Sequence, residues 1–136
     1  MSARTKARKR ALDILYAADV RQIPMTESLA SEAARAASEP DRETSWLYAR
    51  EIVDGVVDHQ AEIDETIETY AQGWSLARMP TIDRALLRIA IWEILYNEEV
   101  PASVAIAEAI EAAKSLSTDE SSGFINGVLG RVAQAG

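Results

Sequence analysis

Five cations stand close together near the start of the chain: Arg4, Lys6, Arg8, Lys9 and Arg10. No acid interrupts residues 1–10, so that segment carries +5. The whole chain carries −8, which leaves −13 on the other 126 residues. On a helix, Arg4 and Arg8 lie one turn apart, Lys6 and Arg10 make a second such pair, and Lys9 falls between the two strips. Such an array suits phosphates, because each phosphate neutralised releases condensed counterions whatever the base sequence. Positive charge gathered at one end of an acidic chain indicates a directed anionic contact, and nucleic acid is the expected ligand. The competing readings are solvated charge on a frayed terminus, an acidic protein partner and a membrane surface. The last is the weakest, since Leu12, Leu15 and Tyr16 are better used by the core than by a bilayer.

The polar stretch Ser117–Ser122, followed by Phe124, is the second candidate. An aromatic ring beside a polar loop is a platform for an unstacked base, and the carboxylates of Asp119 and Glu120 can accept hydrogen bonds from base amino groups. The same residues admit a structural account, in which Ser121 or Ser122 caps the last helix and Phe124 packs inward. On the residues alone, the structural account is preferred.

Nothing else in the chain points to chemistry. His59, the one histidine, stands at a helix end beside Asp58, where a solvated role is expected. The carboxylates Asp58, Glu62, Asp64, Glu65 and Glu68 have no histidine at ligand spacing and no EF-hand pattern, so they read as a solvent face. There is no Gly-rich phosphate loop, no G-x-S-x-G and no Ser/His/Asp set. No catalytic residue, metal or cofactor is expected, and the chain is not expected to be an enzyme. Cysteine is absent, which excludes disulfides, thiol catalysis and Cys-based zinc sites and fits a reducing, cytoplasmic compartment. No apolar run approaches the ~20 residues of a membrane span, and the N-terminus does not read as a signal peptide.

The elements that must position these residues are all helices. Ala, Glu, Leu and Ile abound, and only four Pro and six Gly interrupt them. The organising stretch is Thr81–Tyr96, TIDRALLRIAIWEILY. Its polar residues are Thr81, Asp83, Arg84, Arg88 and Glu93, with Arg84 and Arg88 on one narrow strip. A helix that apolar must be covered on most sides. Thr81 is expected to cap it. Before it, helices are expected over 3–20, 26–38, 42–58 and about 61–73, with a break at Glu39-Pro40-Asp41 and a single tight turn at Leu76–Met79. After it come helices over 103–116, opened by Ser103, and 123–134. Gly127 shares a strip with Phe124, Val128 and Arg131, and a close helix–helix approach is the expected reason for it. The reading is all-α: about seven helices in two small antiparallel bundles, one domain with subdomains roughly 1–73 and 74–136.

Four segments carry a resemblance. IDRALLRIAIWEIL (82–95) resembles the core helix of the NusB family of bacterial transcription antitermination factors. VPASVAIAEAIEAAKSL (100–116) resembles its next helix, FINGVLG (124–130) its closing motif, and ARTKARKRALDILYAADV (3–20) its Arg-rich first helix. In this order and spacing the motifs are fairly specific, and only 22–45 is unmatched. The resemblance implies an all-α fold of about seven helices in two bundles. It implies binding of the boxA element of nascent ribosomal RNA as a single strand, together with the small-subunit ribosomal protein NusE, in the antitermination complex on RNA polymerase. It assigns RNA contact to Arg4, Lys6, Arg8 and Arg10, with Lys9 in the same segment, and to Asp119, Glu120 and Phe124. That reverses the preference for a purely structural loop. It places Tyr16 and Asp83 toward the ribosomal protein. Some members pair with themselves through the RNA-binding face. The basic segment departs from a pure arginine run at Thr5 and Ala7, and Glu120 stands where some members have Asp.

Overall fold

The computed structural model of the chain describes residues 2–37 and 43–135, without side-chain detail for residues 43 and 44. Seven α-helices and one 3₁₀ turn, with no strand, occur among the described residues. They fall into two compact units that divide after Asp58. The expected break at Glu39-Pro40-Asp41 lies outside the described residues.

The first unit holds α1 (Ala3–Arg21), α2 (Met25–Ala36) and α3 (Glu43–Asp58), each packed on the other two. Ser2 caps α1 by accepting the Thr5 amide at 3.1 Å, so the basic segment starts on an ordered turn. The helix ends at Gln22, which adopts a left-handed φ of 55°, while the Ile23 amide closes onto Ala18 O at 3.0 Å. That six-to-one bond uses a carbonyl the helix end would otherwise leave unpaired, and Pro24 then opens α2. Ala7, Ala11, Leu12, Ile14, Leu15 and Ala18 form the buried stripe of α1, against Trp46, Ala49, Ile52, Val53 and Val56 of α3. In α2 only Ser28 and Leu29 are buried. The Ser28 hydroxyl donates to Ile14 O at 2.8 Å, which ties this small-residue helix to α1.

The second unit holds α4 (Gln60–Tyr70), the 3₁₀ turn Leu76–Arg78, α5 (Thr81–Tyr96), α6 (Ala102–Leu116) and α7 (Asp119–Ala135). Helix α5 packs on α4, α6 and α7, and every residue from Ala85 to Glu93 is buried. The sequence pattern predicts a helix covered on most sides, and this one is. It also places α4 with the first half of the chain, whereas Ile63 and Ile67, both fully buried, pack it within the second unit.

Three local expectations are corrected. Pro80, not Thr81, stands at the N-cap of α5, and it has no side-chain cap bond. Pro101 takes the same place before α6, where Ser103 is already inside the helix. Asp64, read as outward, faces α5: Arg88 Nε reaches its Oδ1 at 2.9 Å and Nη2 its Oδ2 at 3.1 Å. This two-point pair gives the guanidinium of Arg88, only 6% exposed, a counter-charge inside the helix pack.

Candidate nucleic-acid interface

The basic segment on the first unit is not five equivalent charges. Arg4 and Arg8 flank one edge of the buried stripe and lie over the ring of Tyr48 on α3. Their guanidinium carbons are 4.6 and 6.0 Å from its centroid. Each such contact at a partly exposed site is worth about 0.5–1 kcal/mol, and it holds two flexible side chains before any ligand arrives. Arg10 flanks the other edge. Its Nε donates to Ser45 Oγ at 2.9 Å, and its Nη1 is 3.9 Å from Glu32 Oε1. Arg10 therefore helps to fasten α1 to its neighbours as well as carrying charge. Lys9 pairs with Asp13 at 2.8 Å across one exposed turn, a contact worth little in water. Lys6 is exposed. Tyr48 carries no signal in the sequence, because its role appears only when α3 is laid against α1.

On the second unit, the polar stretch before α7 is shorter than expected. Helix α7 already begins at Asp119, and its cap is Thr118, whose Oγ1 accepts the Ser121 amide at 3.1 Å. Ser121 and Ser122 therefore lie inside the helix and are not its cap. The Ser117 hydroxyl donates to Asp83 Oδ1 at 3.1 Å and lies 2.9 Å from Ser121 Oγ, which is 3.1 Å from Thr118 Oγ1. Asp83 is 2% exposed. This corrects its expected place at a partner surface: the carboxylate points inward from α5 and fastens the turn between α6 and α7.

Asp119 and Glu120 are exposed in the first turn of α7, where unpaired helix amides favour carboxylates. Phe124 follows Glu120 by one turn on the same strip. It is half-buried, and its ring meets Trp74 edge-on, with centroids 6.3 Å apart and planes at 63°. Trp74 is 53% exposed and was not singled out in the sequence. The available signal was an indole directly after Gln72 and Gly73, in a segment between helices. Both of those residues adopt left-handed φ, 51° and 96°.

Gly127 does not mark a close helix approach. A Cβ there would meet only Arg131, with Nη1 at 3.5 Å. Arg131 lies over the gap and donates from Nε and Nη2 to Tyr70 O, at 3.1 and 2.8 Å. It thereby satisfies a carbonyl at the C-terminal end of α4.

Elsewhere, Tyr16 is 40% exposed on α1, and Val20, one turn further on, is 57% exposed. His59 is not simply solvated. It stacks on Tyr96 at 3.8 Å between centroids, and its Nδ1 is 3.8 Å from Glu62 Oε2. The Tyr96 hydroxyl donates to Glu62, and that bond, with some burial and the carboxylate's charge, pushes the phenol up to about 12. Among the described residues no group of three or more His, Asp or Glu could hold a metal ion, and no helix is long and apolar enough to cross a membrane.

Comparison with known proteins agrees with this fold and segment order. The NusB family profile matches residues 5–134. The chain is 70% identical over 134 residues to the transcription antitermination protein NusB of Leifsonia xyli subsp. xyli, covering 98% of this chain and 93% of that one. It is 64% identical over 135 residues to the protein of the same name from Clavibacter sepedonicus, covering 99% and 98%. Among solved structures, T. maritima NusB matches with a TM-score of 0.82 and 29% identity, covering 98% of this chain and 92% of that one. A structure of antitermination factors NusB and NusE in complex with dsRNA matches with a TM-score of 0.85 and 26% identity, covering 100% and 99%. The chain belongs to the NusB family of antitermination factors.

Proposed function

We propose that this chain is an RNA-binding transcription antitermination factor that takes a boxA-like single strand of nascent ribosomal RNA together with the ribosomal protein NusE. The observation that carries the proposal is the exposed and half-exposed cationic face of α1 in a chain whose remainder is strongly acidic. Phosphates are held by Arg4, Lys6, Arg8 and Lys9, with Arg10 contributing charge from its place between helices. On the second unit a base lies against Phe124, and Asp119 and Glu120 accept from base amino groups. Tyr16, with Val20 one turn away, meets the ribosomal protein; Asp83 acts from within, by positioning the turn before α7. The acidic remainder attracts the basic ribosomal protein and discourages RNA elsewhere. The pair then joins the antitermination complex on RNA polymerase in the cytoplasm. No residue is assigned a catalytic role.

The test is titration of a labelled boxA-like strand with the protein, alone and with the ribosomal protein, using a duplex of the same sequence as competitor. The proposal expects saturable binding that the partner strengthens, and weaker competition by the duplex. Phe124→Ala should cost about 1–3 kcal/mol of RNA binding. Failure of the strand to bind in either arm, while the chain still captures an acidic protein, would replace RNA recognition with a protein-docking role for α1.

A further inference from the structure

Trp74 is the largest apolar side chain that the second unit leaves half-exposed, and the preceding proposal gives it no task. Its surroundings are fixed. Arg84 Nη1 donates to Leu76 O at 2.7 Å, the Met79 amide closes onto Leu76 O at 3.2 Å, and Met79 itself is 4% exposed. The indole is therefore displayed from an anchored turn, and two successive left-handed residues set its exit from α4. Exposed indole on rigid backbone offers a large contact area at low ordering cost.

The charge pattern identifies what the ring would meet. The chain has 22 acidic residues, yet none falls between Thr69 and Ile82 and none between Ser121 and Ala135. The charged residues of those two stretches are Arg78 and Arg131. The structure joins the stretches at two points, the Trp74–Phe124 ring contact and the Arg131 bonds to Tyr70 O. An acidic protein thus keeps carboxylates out of the two segments that carry exposed Trp74 and half-buried Phe124. A basic protein partner would gain nothing from that, whereas a polyanion would. Asp119 and Glu120 border the pair at the start of α7, where acceptors for base amino groups are useful. An edge-on pair also leaves the face of one ring open beside the edge of the other, which suits two neighbouring bases splayed from one strand.

We infer that Trp74 and Phe124 together form a two-ring platform that takes adjacent unpaired bases of RNA. The inference rests on the RNA-binding reading above, and the experiment separates the two. Trp46 and Trp92 are 9% and 5% exposed, so Trp74 is the indole that a bound base can reach directly. Intrinsic fluorescence is followed while a boxA-like single strand is added to the protein with its ribosomal partner, and while the partner is added without RNA. RNA should quench the emission, and Trp74→Phe should abolish most of that quench while retaining most of the affinity. Trp74→Ala should weaken RNA binding roughly five- to hundred-fold, the range expected for loss of one stacked base. The Trp74→Phe difference signal keeps the test valid if Trp74→Ala does not fold. Wild-type binding with a quench that survives in Trp74→Phe, or an affinity unchanged in folded Trp74→Ala, would overturn the platform while leaving RNA binding in place. Quenching of Trp74 by the partner alone would assign the ring to the protein contact and also overturn it. Absence of RNA binding by the unaltered protein would instead remove the reading beneath it.

Discussion

Two sets of arginines, one in each unit, are held in different ways. In the first, Arg4 and Arg8 rest on the Tyr48 ring and remain half-exposed at the surface of α1. In the second, Arg84, Arg88 and Arg131 each end on an acceptor of another segment: Leu76 O, the Asp64 carboxylate and Tyr70 O. An aromatic face holds a guanidinium at the surface of α1, where a phosphate can approach it. An acceptor at hydrogen-bond distance uses the donors and turns the same side chain into a structural fastening. Burial around the acceptor then decides how much the fastening matters.

Breaking one fastening gives the largest expected effect. Asp64→Ala would leave the buried Arg88 without its two-point partner and should lower stability by about 3 kcal/mol, read as a shift in the urea midpoint at unchanged slope. A loss below about 1 kcal/mol would mean that water or another group takes over, and the contrast between the units would weaken. The same kind of change on the first unit should behave differently. Arg4→Gln with Arg8→Gln should lower stability by about 1–2 kcal/mol, the value of the two lost ring contacts. It should flatten the salt dependence of RNA binding by about 1.4 in log–log slope. Salt-dependent titration beside a melting curve separates these outcomes.

Smaller effects sharpen the picture. Gly127→Ala should be tolerated or stabilising by about 0.5–1 kcal/mol, because the added methyl meets only an ordinary contact at 3.5 Å and Ala is the better helix former. Clear destabilisation would restore a close-packing role for that glycine. Last comes the alkaline limb. The folded chain holds the Tyr96 proton up to about 12, against an ordinary 10.0. The resulting stabilisation is complete below the ordinary value and is lost as pH rises from there through the folded value. Glu62→Gln should return this tyrosine toward ordinary titration, visible in ultraviolet absorbance, and should remove that difference.

Local pattern was enough to find the helices. The run Thr81–Tyr96 has its bounds in the sequence, because Pro80 and the acidic pair after Asn97 punctuate an apolar stretch of helical period. The cationic segment was equally plain, since charge density needs no third dimension. What escaped was every feature defined by a partner far along the chain. Asp64 looks outward until α5 supplies Arg88. Asp83 looks like a surface carboxylate at a helix start until Ser117 arrives from the turn after α6. Trp74 has no visible role until Phe124, fifty positions later, is set against it. In each case side-chain type gives the capacity to bond, and only tertiary packing gives the direction.

The salt dependence of binding tests the central claim most directly. Affinity for a boxA-like single strand should be measured with the ribosomal protein present, over a series of monovalent salt concentrations. With four phosphates held by Arg4, Lys6, Arg8 and Lys9, the log–log slope should be about −3, and Lys6→Ala with Lys9→Ala should bring it to about −1.5 without altering the fold. A slope near zero, or one that the double substitution leaves unchanged, would show that the α1 cations do not hold the RNA backbone.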